Sequence, residues 1–143
     1  MVEPIIQFVK NSQYAQIPER KTIGSAGYDL FSVDDVKILP LSRMCVSIGL
    51  SISLPHGFFG RILPRSSLSL KCIDIGAGVI DEDYIGIIKV LVINNNPHNV
   101  FLIEKGMRIA QLVIERYYTP KFENVLKLDD TIRGDNGFGS TGK

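Results

Sequence analysis

Tryptophan is absent from the 143 residues, and cysteine and histidine occur only twice each. Cys45 and Cys72 form no CxxC pair and His56 and His98 stand far apart in sequence. Neither a disulfide framework nor a zinc site is therefore written into the chain. An excess of one charge is lacking too: sixteen Lys and Arg against fifteen Asp and Glu leave a formal +1. That balance supplies no global field to attract nucleic acid or an anionic membrane. No apolar run approaches the length of a membrane span, and Met1 to Lys10, with one acid, one base and a short apolar stretch at Ile5 and Ile6, does not read as a signal peptide. The expectation is a reduced intracellular protein, cytoplasmic or nuclear, with no nucleic-acid or membrane partner, which catches any anion by local contacts.

What is present suits one β domain. The length is that of a single domain, and 45% apolar with 22% charged residues is an ordinary globular composition. Thirteen Gly and seven Pro cluster between apolar runs, as tight turns require. Val46, Ile48, Leu50, Ile52 and Leu54 alternate with Ser47, Gly49, Ser51 and Ser53, a period of two that predicts one strand. Pro55-His56-Gly57 then reads as the connection of a hairpin, with Phe58 to Leu63 as its second strand and His56 as a solvent-exposed turn residue. Ile87 to Ile93, broken only by Lys89, predicts a buried strand, followed by Val100 to Ile103 and by one or two strands over Met107 to Tyr118. The single short helix is placed at Ser66, taken as N-cap. The predicted fold is an all-β, jelly-roll-like sandwich with one short helix. Residues 1–130 form the β domain. Residues 131–143, of which Gly134 to Lys143 hold four glycines and one large apolar residue, form a flexible glycine-rich arm that cannot bury enough surface to order itself.

Three segments hold chemistry-bearing residues. Pro64-Arg65-Ser66-Ser67, entering a helix, would aim backbone N–H groups, two hydroxyls and a guanidinium at one point. This arrangement suits a phosphate, although a Ser N-cap beside an exposed Arg also occurs on helices with no ligand. Gly76-Ala77-Gly78 permits close backbone approach, and Asp81-Glu82-Asp83 crowds three carboxylates into one turn. Such a turn is either solvated surface or the bearer of a general base. Tyr84 is either a packing face for a sugar or base or a cross-strand contact. The arm adds Arg133, Phe138, Ser140 and Thr141 on glycine hinges that include Gly139, a set able to clamp phosphate and stack on a base.

These segments, in order and spacing, resemble the five motifs of the trimeric dUTP diphosphatase (dUTPase) family. Ala26-Gly27-Tyr28-Asp29-Leu30 resembles the first, Gly60 to Ser69 the second and Gly76 to Gly86 the third. Gly106-Met107-Arg108-Ile109-Ala110-Gln111-Leu112 resembles the fourth and Arg133 to Gly142 the fifth. The wording of the third is nearest to animal and large DNA virus forms, which makes a viral origin possible. The resemblance implies a β jelly roll assembled as a homotrimer with shared active sites, whose C-terminal arm closes over a neighbour's site. It implies Mg2+-assisted attack of water on the α-phosphorus of dUTP, giving dUMP for thymidylate synthesis and pyrophosphate.

By matching position, the resemblance makes Asp81 the carboxylate that activates the water, helped by Gln111. Arg65, Ser66 and Ser67 would hold phosphates, and Asp29 would fix the metal through its bound water. Arg133, Ser140 and Thr141 would grip distal phosphates with Gly139 as hinge, and Phe138 would stack on uracil. Tyr84 would pack under the deoxyribose. Gly78, Val79, Ile80 and the backbone at Lys89 would line the uracil edge, and Asp83 would complete the substrate side of the acidic turn.

Three positions depart from the family pattern. Ile85 replaces a common Arg, which removes a charge near the rim of the site. Lys89 replaces a glycine on a strand that reads uracil, and Met107 replaces an Asp, with a local turn or interface change expected. Two other readings compete. A dCTP deaminase of the same superfamily would need a glutamate base in the pocket, and a regulatory module would hold dUTP without turnover.

Overall fold

The computed structural model describes residues 3–139. Along the chain come β1 (Gln7–Lys10), β2 (Tyr28–Phe31), β3 (Val36–Ile38), β4 (Ser42–Ser47), β5 (Leu50–Ser53) and β6 (Phe58–Leu63). After them come α1 (Ser66–Ser69), β7 (Ile73–Gly76), β8 (Val79–Ile80), β9 (Lys89–Asn94), β10 (Phe101–Ile103) and β11 (Arg108–Arg116). The predicted all-β sandwich with one short helix is what forms. One sheet has the order β2-β11-β6-β8 and a second β4-β9-β7, while β1-β5 and β10-β3 are two-stranded ribbons. Every pairing between these strands is antiparallel. All four units contribute to one apolar core, for example Leu30, Ile62 and Ile109 from the first sheet, Val90 and Val92 from the second, and Leu50 and Ile103 from the ribbons. Each of these side chains is almost wholly removed from water, the largest favourable contribution available to a fold with so little helix.

The alternation over Val46 to Leu54 predicts burial well: all five apolar members are buried. It does not make one strand. Gly49 has φ +66, and a Cβ there would come within 2.9 Å of Val33 Cγ1 and 3.0 Å of Ser12 Cβ. Only glycine accepts both the left-handed backbone and the crowding, so the chain breaks into β4 and β5. The expected hairpin across Pro55-His56-Gly57 is also absent. Strand β5 pairs with β1, whereas β6 pairs with β11 and β8. The turn, closed by Phe58 N–H to the Pro55 carbonyl at 3.2 Å, carries the chain from a ribbon into a sheet. Strand β9 is buried on one face only, so the apolar run at Ile87 to Ile93 begins with an exposed Ile87.

The helix starts one residue earlier than expected. Arg65 occupies the N-cap position without a side-chain cap bond, Ser66 is the first helical residue, and Leu68 anchors the turn in the core. Met107 closes the Glu104-Lys105-Gly106 turn, its N–H donating to the Glu104 carbonyl at 2.9 Å. Gly106 N–H donates to the Ser32 carbonyl at 2.8 Å, Ser32 N–H donates to the Met107 carbonyl at 2.9 Å, and the Met107 side chain packs against the core. Residues 117–139 carry no strand or helix.

Candidate functional site

The chain changes sheets at Ala77-Gly78, and that crossover builds a cavity. Gly76 ends β7 opposite Leu91 of the second sheet, and three residues later Val79 pairs with Arg61 of β6 in the first. Between them Ala77 has φ 55 and Gly78 φ 120. Gly78 sits so close to β6 that its carbonyl accepts from Ile62 N–H at 2.7 Å, while a Cβ on it would stand 2.6 Å from the Ile62 carbonyl oxygen. The diverging strands leave a space of about 210 Å³ floored by Ile62, Ile88 and Leu91, with Gly78, Val79 and Ile80 along one wall. Asp81, Tyr84 and Lys89 also line it. The Tyr84 hydroxyl donates to the Ile87 carbonyl at 3.0 Å, which sets the ring against Gly86, where any Cβ would meet Tyr84 Oη at 2.6 Å.

Asp81 also borders a second, larger cavity of about 490 Å³, shared with Phe59, Val79, Glu82, Asp83 and Tyr117. Asp83 faces this side rather than the glycine-walled cavity. Between the two cavities the acidic turn closes through Tyr84 N–H to the Asp81 carbonyl at 3.1 Å. Its three carboxylates are not equivalent. Glu82 accepts from His56 Nδ1 at 2.7 Å, Gly57 N–H at 2.6 Å and Tyr117 Oη at 2.8 Å. These donors, with His56 first among them, lower its pKa from the ordinary 4.5 to about 2. The Tyr117 hydroxyl is pushed up by the same bond to Glu82. His56 is the exposed turn residue expected, at 96% side-chain exposure, but it has an acidic partner in Glu82 that no sequence neighbour reveals.

A second cluster gathers around Asp29. Strand register places Gln111 of β11 opposite Asp29 of β2 on one side and Leu63 of β6 on the other. Asp29 Oδ1 lies 3.2 Å from Arg65 Nε, and Oδ2 lies 3.5 Å from Arg108 Nε. Gln111 Nε2 donates to the Pro64 carbonyl at 2.9 Å, and Gly27 leaves room for the Gln111 amide, with which any Cβ there would collide. Asp29 is 14% exposed and Arg65 26%, so the pair is partly desolvated. Glu19 Oε1 also stands 3.9 Å from Arg108 Nη2, so two guanidiniums meet two carboxylates, and the guanidinium N–H groups left over are suited to phosphate oxygens. Arg108 was legible in sequence only as part of a motif; nothing there places it beside Asp29.

The structure thus brings Gly78, Val79, Ile80, Asp81, Tyr84 and Lys89 together around one cavity and Asp29, Arg65 and Gln111 into another cluster. Ser66 and Ser67 follow Arg65 as exposed residues of the first helical turn. Arg133, Phe138 and Gly139 are exposed and join neither group, and Phe138 adopts a left-handed φ of 50. Ser140 and Thr141 lie outside the described residues. The one glutamate of the acidic turn does not line the glycine-walled cavity and is held by three donors, so no glutamate among the described lining residues stands where a dCTP deaminase would need its base. Among the described residues no group of three or more His, Cys, Asp or Glu could hold a metal ion, and no helix is long and apolar enough to cross a membrane.

Comparison with known proteins places this geometry. A family model described as dUTPase matches residues 13–142. The chain is 52% identical over 137 residues to the deoxyuridine 5'-triphosphate nucleotidohydrolase of Monkeypox virus, covering 96% of this chain and 90% of that one. The fold is similar to the dUTPase of Staphylococcus bacteriophage 80alpha solved with dUpNHpp, with TM-score 0.92 and 30% identity over 97% of this chain and 99% of that one. It is also similar to a dUTPase mutant of phage phi11 of S. aureus described with a coordinated structural Mg(II) ion, with TM-score 0.81 and 27% identity over 86% and 97% of the two chains.

Proposed function

The chain belongs to the dUTPase family and its activity is dUTP hydrolysis; from that premise we propose how its own residues carry out the reaction. The observation that carries the reading is the cavity at the sheet crossover, whose wall is backbone from Gly78 to Ile80 and whose rim holds Asp81. Uracil enters this cavity and is read by backbone N–H and C=O groups. Cytosine presents the reversed donor and acceptor pattern there, and leaving such groups unpaired discriminates by roughly 10⁴ or more. Thymine and ribose are refused by shape, which needs a rigid wall: Gly78 is bonded to Ile62, and the Tyr84 ring is held by its bond to Ile87. Lys89 contributes its backbone to the same wall, and its ammonium adds a cation at the rim.

Asp81 orients water for in-line attack on the α-phosphorus and accepts its proton, with Gln111 helping to hold the water or the adjacent phosphate. Arg65, Ser66 and Ser67 bind the phosphates, and Arg108 joins them, because the same carboxylate orients both guanidiniums. Asp83, on the larger cavity that Asp81 also borders, would meet substrate from that side and not in the uracil cavity. Arg133, Ser140 and Thr141 grip the distal phosphates, Phe138 stacks on the base and Gly139 supplies the hinge when residues 131–143 close as an arm over the site. Closure would exclude bulk solvent from the reacting centre while leaving the water that Asp81 orients.

The donor set fits Mg2+ that arrives on the triphosphate and does not fit a resident ion. Mg2+ keeps several waters and needs only one or two carboxylates beside substrate phosphates. Asp29 would supply one such oxygen donor, acting through bound water, and there is no protein cage among the described residues. Bound in that way, Mg2+ would neutralise charge on the phosphate oxygens. The phosphate cluster and the uracil cavity are separate in one chain, and Tyr118, Phe122, Leu126 and Ile132 are exposed apolar residues. Both features support a homotrimer in which neighbouring copies complete each site. Two free, exposed cysteines support a reducing compartment, cytoplasm or nucleus, and the Monkeypox relative supports a viral origin.

Pyrophosphate release from dUTP, dCTP, dTTP and UTP, with Mg2+ and for the full chain against one truncated after Ile132, tests the reading. Release from dUTP alone, lost with the truncation, is expected. Release from dTTP or UTP refutes the rigid wall, and undiminished release after truncation refutes the arm.

A further inference from the structure

A general base must lie within hydrogen-bond reach of the proton it takes, yet little of its own holds Asp81 in a fixed direction. Strand β8, which leads into it, is two residues long and pairs with β6 at only two positions. The turn over 81–84 is closed by one backbone bond. Its far side is the open cavity of about 490 Å³, so a displaced turn has space to move into. Among the described residues, the Asp81 and Asp83 side chains bond to nothing. The Tyr84 hydroxyl bonds only three residues on, to the Ile87 carbonyl, so the side-chain tie from this turn to distant parts of the chain is Glu82.

That tie reaches two separate parts of the frame. His56 and Gly57 belong to the turn between β5 and β6, and Tyr117 directly follows β11. The Tyr117 ring meets Phe59 of β6 edge to face, with centroids 6.2 Å apart at 85°, so its hydroxyl is offered from a packed position. All three bonds to Glu82 are short, from 2.6 to 2.8 Å. Bonds to an ionised acceptor are roughly twice as strong as neutral ones, and a Glu82 pKa of about 2 keeps that acceptor ionised throughout the neutral range.

We propose that Glu82 is a positioning residue for catalysis: its carboxylate latches the acidic turn to His56, Gly57 and Tyr117 and thereby holds the neighbouring Asp81 at the rim of the cavity. The inference rests on the reading of Asp81 as the group that activates water. Glu82 touches neither base nor phosphate in this scheme, so its loss should alter turnover rather than substrate affinity. Gln in its place keeps an oxygen for Gly57 N–H and the Tyr117 hydroxyl, and its amide N–H can donate to Nδ1 of a neutral imidazole.

The test uses the full chain with dUTP and Mg2+, measuring kcat, KM and the Kd for dUpNHpp in the wild type, Asp81→Asn, Glu82→Ala, Glu82→Gln and Tyr117→Phe. Small misplacements of a reacting group cost about 10²-fold, so Glu82→Ala is expected to lower kcat by about 10- to 100-fold. KM and the dUpNHpp Kd should stay within about threefold of wild type, because the lost interaction acts only on the chemical step. Glu82→Gln should recover most of that loss, and Tyr117→Phe should lower kcat by a smaller factor at unchanged Kd. A kcat within about twofold of wild type in Glu82→Ala overturns the proposal. So does equal impairment of the Ala and Gln variants with a weakened Kd, which marks general damage. Should Glu82→Ala fail to fold, Tyr117→Phe and His56→Ala decide: reduced kcat at unchanged Kd supports the latch, and wild-type kcat in both overturns it. A wild type that releases no pyrophosphate, or an Asp81→Asn that turns over normally, removes the underlying reading instead, an outcome distinct from an active wild type with an indifferent Glu82.

Discussion

Replacing Gly78 by Ala probes the wall of the cavity with a single methyl group. The new Cβ would stand 2.6 Å from the Ile62 carbonyl oxygen, at a backbone φ of +120. Neither neighbour can yield cheaply. Ile62 is 5% exposed, its own N–H donates to Gly78, and its strand is paired on both sides by β11 and β8. Holding a side-chain-bearing residue at that φ costs about 1–3 kcal/mol. Stretching the Ile62–Gly78 bond removes a further ~0.5–1.5 kcal/mol. A loss of about 2–4 kcal/mol follows, which at a urea m-value of about 2 kcal/mol/M lowers the midpoint by about 1–2 M. Far-UV circular dichroism in urea at fixed protein concentration reads this, the concentration being held because assembly would shift the midpoint. The wall must also move, and a displacement near 1 Å should lower kcat/KM for dUTP by about 10²-fold. Gly57→Ala is the control, since φ is +82 there and no atom lies within 4 Å of the built Cβ: strain without collision. Equal midpoints for the two variants, or wild-type kcat/KM in Gly78→Ala, would refute the argument that close backbone approach shapes this site.

Three other perturbations separate the roles of charge, core and acid turn. Asp29→Asn removes the counter-charge between Arg65 and Arg108 and should lower kcat/KM for dUTP by about tenfold or more as the guanidiniums lose their orientation, a loss read in steady-state assays. Asn94 is fully buried, donates from Nδ2 to the Ile38, Leu39 and Asn99 carbonyls and accepts from Asn96 N–H. Asn94→Ala should therefore cost about 2–3 kcal/mol in denaturant titration while leaving KM unchanged. Glu82 carries a pKa lowered from 4.5 to about 2, so its stabilisation is complete above pH 4.5 and is lost as pH falls through about 2. Ellipticity against pH should show Glu82→Gln lacking the part of the acid-unfolding limb that lies in this window, and an identical limb in both proteins would show that the three bonds do not stabilise the fold.

Periodicity and turn chemistry made much of this protein legible. The alternating residues of Val46 to Leu54 are all buried, the segment from Phe101 to Ile103 is a strand, and Met107 to Tyr118 contains the long strand β11. A resemblance spread over five segments marked out Gly76 to Gly86, where the chain proves to change sheets, and Arg65, which proves to pair with Asp29. The errors share one cause. A hairpin across Pro55 to Gly57 and an unbroken strand through Gly49 are the readings that local pattern favours, because pattern reports which residues are apolar and where turns fall. It does not report which strand lies beside which.

Sequence alone therefore determined the class of the fold, the identity of its core residues and the chemical types present at the site, since each depends on side chains and local backbone preference. Tertiary structure decided strand partnership and everything that follows from it. The register that sets Gln111 beside Asp29, the approach of Gly78 to Ile62, the pairing of Arg65 with Arg108 around one carboxylate and the three donors around Glu82 all join residues distant along the chain. Such contacts arise only when several strands bury their apolar faces together, because the loss of chain entropy on joining distant segments is offset by the shared core and not by any single pair.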